Sequence, residues 1–187
     1  MDALVTAFVA AALGEWGDKT QPIVALLAAR SGRPMTVLAG LFLAAALSSA
    51  AAAFAAGLIA GTITIRAMSL LVALALLFAG VAGLIRRNPP SSGFGRMPLI
   101  FAAIILCLAA ETGDRTQFLT FALAARFDSP ALAAIGATAG MLTAALPAAL
   151  LGDRLQSVVP VRVIRLGGAA LFLIVGFIVA VNALQIA

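Results

Sequence analysis

Two stretches decide the fold of this chain: Glu15-Trp16-Gly17-Asp18-Lys19-Thr20-Gln21 and, 96 positions later, Glu111-Thr112-Gly113-Asp114-Arg115-Thr116-Gln117. From position 15 to position 30, nine of sixteen residues are identical to those at 111–126. Alanine matches are common between apolar helices, whereas a shared Glu-x-Gly-Asp-basic-Thr-Gln is specific. The chain therefore contains an internal repeat, and we call these heptapeptides motif 1 and motif 2.

The sequence around the motifs is strongly apolar. Of 187 residues, 64% are hydrophobic, 10% are charged and none is histidine. Soluble domains are about 45–50% apolar and about 25% charged, so this composition excludes a soluble enzyme and predicts a polytopic membrane protein. With one cysteine, Cys107, and no histidine, the chain has no disulfide framework, no zinc finger and no histidine-dependent catalytic site.

Six stretches are long enough to cross a bilayer, which takes roughly 20 apolar residues. Four of them carry no charge: Pro34–Ile65, Ala67–Ile85, Ser129–Gly152 and Leu166–Ala187. Two more, Ala3–Ala29 and Met97–Ala125, are interrupted only by the charges of motif 1 and motif 2. We therefore predict an all-α membrane protein with six transmembrane helices.

The helices divide into two sets of three. The first repeat is predicted at 1–85, a cytoplasmic linker rich in Arg, Pro, Gly and Ser at 86–97, and the second repeat at 98–187. Because each repeat has an odd number of helices, the second enters the membrane from the opposite side. This predicts an inverted-topology repeat, a plan of secondary transporters whose substrate site lies near the bilayer midplane.

The arginines of the short loops predict the orientation. If both termini lie outside the cytoplasm, only Arg66 and Arg126 fall in outer loops. Eight arginines then fall in inner loops: Arg30, Arg33, Arg86, Arg87, Arg96, Arg154, Arg162 and Arg165. This topology accounts for the net charge of +5, so no nucleic-acid partner is needed to explain it.

The acids of the motifs are the candidate site. A carboxylate at the bilayer centre costs roughly 2.5–3.5 kcal/mol, so these acids need a partner or an ion. On a continuous helix, Glu15, Asp18 and Pro22 would share one face, with Gln21 on the same side. Such oxygen ligands suit Ca²⁺, Mn²⁺ or Mg²⁺. The candidate metal ligands are Glu15, Asp18, Gln21, Glu111, Asp114 and Gln117.

The basic residues of the motifs set the charge of the site. Lys19 and Arg115 are expected to balance charge or to act in gating. Together with four carboxylates they leave a sum of −2, which one divalent cation or two protons would neutralise. Competition between metal and protons for shared carboxylates is the simplest physical basis for exchange.

The remaining motif residues are predicted to shape the backbone and its packing. Gly17 and Gly113 loosen each helix, and Pro22 removes a helical partner from the carbonyl of Asp18. Thr20 and Thr116 are expected to point away from the acids and to bond the backbone or a neighbouring helix.

In these residues the chain resembles the family of cation/proton exchangers that includes the Golgi transmembrane protein 165 and bacterial manganese exporters. The resemblance implies exchange of Mn²⁺ or Ca²⁺ for protons, with export of the metal from the cytoplasm and Glu15, Asp18, Glu111 and Asp114 as metal ligands. It implies a transporter in a bacterial inner membrane, not an enzyme, with no permanently bound cofactor. A homodimer is left open.

Two other functions are compatible with parts of the sequence. A six-helix exporter of amino acids or other small solutes predicts a roomier, less anionic site. An intramembrane aspartyl protease needs two close carboxylates that share a proton. Such proteases carry Gly-x-Gly-Asp, whereas both motifs here begin with glutamate. A purely structural reading, in which Glu15–Lys19 and Glu111–Arg115 are salt bridges within a helix, leaves the aspartates costly.

Overall fold

The computed structural model describes residues 1–85 and 97–185, and every regular element in these ranges is helical. The first half forms α1 (Asp2–Glu15), α2 (Thr20–Ser31), α3 (Pro34–Ala60) and α4 (Ile65–Leu84). The second half forms α5 (Leu99–Glu111), α6 (Arg115–Phe127), α7 (Pro130–Leu151), the short α8 (Leu155–Val158) and α9 (Val161–Leu184). The predicted linker lies almost wholly outside the described residues.

Four of the described helices are long and apolar enough to cross a membrane. These are α3, α4, α7 and α9, with 20 to 27 residues each, and α5 is a shorter apolar helix. About half of the residues in the most apolar part of α3, α4 and α7 are buried inside the protein, against 22% for α9. The prediction of an all-α membrane protein is confirmed at this level.

Each motif breaks its helix, so the prediction of a continuous helix through the motif is wrong. α1 ends at the glutamate of motif 1 and α2 begins at Thr20. In the same way, α5 ends at the glutamate of motif 2 and α6 begins at Arg115. The charged residues of each motif therefore lie at a break between two short helices. At this break the polar groups of the backbone lie close to polar side chains.

The break is a type II turn in both halves. The turns cover Glu15–Asp18 and Glu111–Asp114. Their second residues, Trp16 and Thr112, have φ/ψ of −64°/121° and −65°/120°. The third residue is a glycine with φ of +71° in both turns. The aspartate N–H donates to the glutamate carbonyl at 3.2 Å in motif 1 and 3.1 Å in motif 2. Since a type II turn favours glycine at its third position, Glu-x-Gly-Asp is itself the signal for the break.

The offset of 96 residues also holds for the helices that follow each motif. α3 and α7 both begin with a proline, at Pro34 and Pro130, where the missing N–H costs no helical bond. α4 and α9 begin at Ile65 and Val161, again 96 residues apart. Apart from the short α8, the helices of the two halves thus follow one another in the same order at nearly this offset.

Small residues bring α1 and α7 into close contact. A Cβ added to Gly136 would lie 2.2 Å from the carbonyl oxygen of Leu4, and one added to Gly140 would lie 2.4 Å from that of Phe8. The backbone of α1 therefore packs directly against the glycines of α7, a close approach that small residues permit in membranes. Alanines fill most of the rest of the core.

We expect Gly140→Val to destabilise the protein strongly, because the added carbons would collide with α1 backbone that cannot rotate away. Overpacking of this kind costs about 1–3 kcal/mol or more. Gly167→Ala in α9 is the control, since a Cβ there meets no other described residue within 4 Å. Thermal unfolding followed by circular dichroism in detergent should show a lower midpoint for Gly140→Val alone. An unchanged midpoint would contradict the close approach of α1 and α7.

Candidate metal-binding site

The four carboxylates of the motifs are buried in the centre of the fold. Their exposed fractions are 2% for Glu15, 4% for Asp18, 1% for Glu111 and 3% for Asp114. Each glutamate is the last residue of a helix, and each aspartate follows the turn that separates that helix from the next. The turns therefore deliver two acids from each half to one buried region.

Three of these acids form a cluster suited to a metal ion. Glu15, Asp18 and Asp114 each offer a carboxylate oxygen, and these oxygens lie within 4.8 Å of one another. We call this group the carboxylate cluster. The structure does not place Glu111 in the cluster. Its Oε1 accepts a hydrogen bond from Thr20, and its Oε2 has no hydrogen-bond partner among the described residues.

The two basic residues pair across the halves. Lys19 Nζ lies 3.1 Å from Asp114 Oδ1 and also donates to the carbonyl of Ala110 at 2.9 Å. Arg115 Nη2 lies 3.5 Å from Asp18 Oδ1. Each cation thus pairs with the aspartate of the other motif. In this conformation, one basic side chain lies beside each of the two aspartates.

The threonines also reach across the halves. Thr20 Oγ1 donates to Glu111 Oε1 at 2.7 Å, and Thr116 Oγ1 donates to Glu15 Oε1 at 2.5 Å. Each hydroxyl does bond a neighbouring helix, as expected, but its partner there is the glutamate of the other motif, so the expectation that both threonines point away from the acids is wrong. It assumed a continuous helix, whereas the turn changes the direction of the chain just before each threonine. The two hydroxyls orient the two glutamates.

The glutamines hold the turns. Gln21 Oε1 accepts from the N–H of Gly17 at 2.9 Å, and Gln117 Oε1 accepts from the N–H of Gly113 at 2.8 Å. Gln21 also donates to the carbonyl of Ala144 at 2.7 Å. In this conformation both amide oxygens bind turn backbone, so the structure does not gather them with the acids.

Pro22 lies in the first turn of α2, not inside a continuous helix. In the second half, the N–H of Phe118 donates to the carbonyl of Asp114 at 3.1 Å. Pro22 occupies the equivalent position and has no N–H, so it cannot make this bond to the carbonyl of Asp18. The two halves therefore differ in this backbone bond beside the motifs.

The two turns differ in accessibility. In the part of the chain that the structure describes, a Cβ added to Gly113 would meet nothing within 4 Å, whereas one added to Gly17 would lie 2.8 Å from Arg165 Cδ and 3.2 Å from Val161 Cγ1. A cavity of about 530 Å³ reaches motif 2 between α3, α4 and α6. Its lining residues are Ala51, Ala52, Ala55, Phe78, Gly113, Asp114, Gln117, Phe118 and Phe121.

Sequence reasoning missed three features of this site. The crossed partners of the acids and the contact of Arg165 with motif 1 arise between distant parts of the chain, and no local pattern marks them. The turn did have a local signal, since glycine follows one residue after each glutamate. Cys107 is fully buried among apolar residues. It lies in α5, the helix that ends at Glu111, and is outside the carboxylate cluster.

Known proteins of the same kind match the chain along most of its length. The sequence model described as "Divalent cation/proton antiporter GDT1" matches residues 3–90 and 99–187. A relative in Vibrio cholerae serotype O1 (strain ATCC 39541 / Classical Ogawa 395 / O395), described as "Putative manganese exporter", is 32% identical over 185 residues. That match covers 96% of this chain and 91% of the relative. No solved structure gives a significant match.

These matches confirm the resemblance seen in the two motifs. An antiporter moves ions across a membrane, so the prediction that the chain is not an enzyme is confirmed and the protease alternative is set aside. The solute exporter is set aside as well, because the matching proteins carry cations. The chain belongs to the GDT1 family of divalent cation/proton antiporters.

Proposed function

We propose that this protein exchanges a divalent cation, Mn²⁺ or Ca²⁺, for protons and exports the metal from the cytoplasm. The observation that carries the proposal is the carboxylate cluster, in which three buried acids bring oxygens within 4.8 Å of one another. Hard oxygen ligands select Mn²⁺ and Ca²⁺ over metals that prefer nitrogen or sulfur. The metal is a substrate that must leave again, so no permanent cofactor is involved.

The charges of the site supply a reason for coupling. Four carboxylates with Lys19 and Arg115 sum to −2, and one divalent cation or two protons would bring this sum to zero. A buried site is most stable in the membrane when neutral. Metal and protons would therefore bind in alternation, and release of one would depend on arrival of the other.

Metal binding would also require the basic side chains of the motifs to leave their aspartate partners. Lys19 and Arg115 pair with Asp114 and Asp18 at 3.1 Å and 3.5 Å. A divalent cation entering the carboxylate cluster would compete with these pairs for the same oxygens. Lys19, whose side chain is 26% exposed, can move toward solvent more readily than Arg115, whose side chain is 4% exposed.

The preference for Mn²⁺ is supported by the manganese exporter of Vibrio cholerae, to which this chain is similar over most of its length. The metal site of this chain contains no histidine, because the sequence has none. Protons and metal must then both be handled by carboxylates. We therefore place Mn²⁺ first among the substrates to be tested and Ca²⁺ second.

The transport cycle would use a six-span inverted repeat. α1 with α2, and α5 with α6, would each form one span interrupted at its motif. The equal register of the two halves supports this arrangement, and the excess of arginines in the inner loops favours termini outside the cytoplasm. A bacterial inner membrane is the proposed location. The carboxylate cluster would then lie near the bilayer midplane.

Proteoliposomes that enclose a pH-sensitive dye test the function directly. An inward Mn²⁺ or Ca²⁺ gradient should drive protons out of vesicles that contain the protein and leave empty vesicles unchanged. Amino acids offered at the same concentration should move no protons. Metal uptake without any proton movement would contradict exchange for protons. The absence of metal uptake would contradict Mn²⁺ and Ca²⁺ as substrates.

A further inference from the structure

Arg165 of α9 lies across motif 1. Its Cδ would be 2.8 Å from a Cβ at Gly17, so only glycine leaves room for it there. Its Nη1 donates to the carbonyls of Gly83, at 3.1 Å, and Ile85, at 2.8 Å. One side chain thus covers the turn of motif 1 and ties α9 to the end of α4.

The end of α4 is a natural place for such a bond. The last carbonyls of a helix have no intrahelical donor and carry partial negative charge, so a guanidinium binds them well. Gly83 also faces the site: a Cβ there would lie 3.1 Å from Nη1 of Arg115, which pairs with Asp18. Arg165 therefore binds the same short segment against which the buried cation of the site packs.

Within residues 1–85 and 97–185, the equivalent contact is absent at motif 2. By the offset of 96 residues, Ser69 of α4 corresponds to Arg165 of α9. The Ser69 hydroxyl donates to the carbonyl of Ile65 in its own helix at 3.0 Å and accepts from Arg126 Nε at 3.1 Å, and neither partner belongs to motif 2. A Cβ at Gly113 would meet none of the described residues within 4 Å, and the cavity begins there. The turn of motif 1 is thus partly buried beneath Arg165, whereas the turn of motif 2 is exposed.

We propose that Arg165 is a latch that holds α9 over motif 1 and so closes one route to the carboxylate cluster while the cavity leaves the other route open. This inference rests on the proposed alternating exchange. When the latch releases, α9 moves away from Gly17 and the first route opens. In the proposed orientation, the closed route is the cytoplasmic one, so the latch must release before metal can load.

The chain offers a matched control in Arg66. This residue donates to the carbonyls of Ala183, at 2.7 Å, and Leu184, at 2.9 Å, at the opposite end of the α4–α9 pair. Arg66 and Arg165 therefore make the same kind of bond between the same two helices. Only Arg165 also covers a motif, so a general loss of helix pairing and a loss of the latch can be told apart.

Cysteine labelling tests the latch without metal or transport. In a Cys107→Ala background, Val161→Cys reports on the covered turn and Ala55→Cys reports on the cavity. We expect Arg165→Ser to raise the rate of maleimide labelling at Val161→Cys by about tenfold, since the charged hydrogen bonds that hold the closed state are lost. Labelling at Ala55→Cys should fall. Arg66→Ser should leave both rates unchanged.

Equal labelling in Arg165→Ser and Arg66→Ser would overturn the latch, as would an unchanged rate at Val161→Cys. Arg165→Lys keeps the charge but not the planar donor pair, so a smaller increase of about threefold is expected. If Arg165→Ser does not fold, Arg165→Lys is the deciding variant. An unchanged labelling rate at Val161→Cys in that variant would overturn the proposal. If metal drives proton flux but Arg165→Ser does not change the labelling rates, only the latch is refuted. If the labelling rates change as expected but metal drives no proton flux, only the exchange is refuted.

Discussion

Asp18→Asn is expected to abolish metal-driven proton movement in proteoliposomes. The substitution removes one of three acids in the carboxylate cluster and the partner of Arg115 while keeping nearly the same volume. Even outer partners of metal ligands contribute about 10- to 100-fold to affinity, so loss of a ligand should lower Mn²⁺ affinity by about 100-fold or more. Titration calorimetry with Mn²⁺ and the pH-dye assay measure the two effects separately.

Two matched variants show whether the loss belongs to the cluster. Asp2→Asn changes an exposed acid at the start of α1 and should leave both measurements unchanged. Glu111→Gln removes an acid outside the cluster, so Mn²⁺ affinity should fall less than in Glu15→Gln. Full exchange activity in Asp18→Asn, or an equal loss in Asp2→Asn, would contradict the site.

Arg115→Met is expected to destabilise the metal-free protein and to make its stability depend on Mn²⁺. The guanidinium is buried and pairs with Asp18, and breaking a buried pair by removing one partner costs about 3–5 kcal/mol. The variant site carries −3 instead of −2, so a bound divalent cation relieves more repulsion. Thermal unfolding should show a lower midpoint without metal and a larger Mn²⁺-induced rise than in the unmodified protein.

Lys19→Met is the control for this result. Lys19 makes the equivalent pair with Asp114, but its side chain is 26% exposed, so water replaces the lost partner more easily. The same loss of one positive charge should then lower the midpoint less. If both variants lower the unfolding midpoint equally, the burial of Arg115 does not explain its contribution to stability. If Mn²⁺ raises the midpoint of Arg115→Met no more than that of the unmodified protein, the charge argument is wrong.

Much of the fold could be predicted because a bilayer imposes simple constraints on sequence. Only long apolar stretches can cross it, so α3, α4, α7 and α9 lie almost where the charge-free stretches predicted them. The repeated motifs likewise predicted two buried groups of acids. Helical continuity could not be judged in this way, because one glycine in a favourable turn was enough to break each helix.

The composition and the two motifs by themselves determined a membrane protein with duplicated buried acids and, through the family, cation/proton exchange. Only the tertiary structure decided which acids meet, because the crossed bonds of Lys19, Arg115, Thr20 and Thr116 join residues about 90 to 100 positions apart. It also decided that the two motifs differ, with motif 1 beneath Arg165 and motif 2 beside the cavity. The repeat makes the two motifs nearly identical in sequence, whereas the residues that pack around each motif come from other parts of the chain, where the halves differ, as at Arg165 and Ser69.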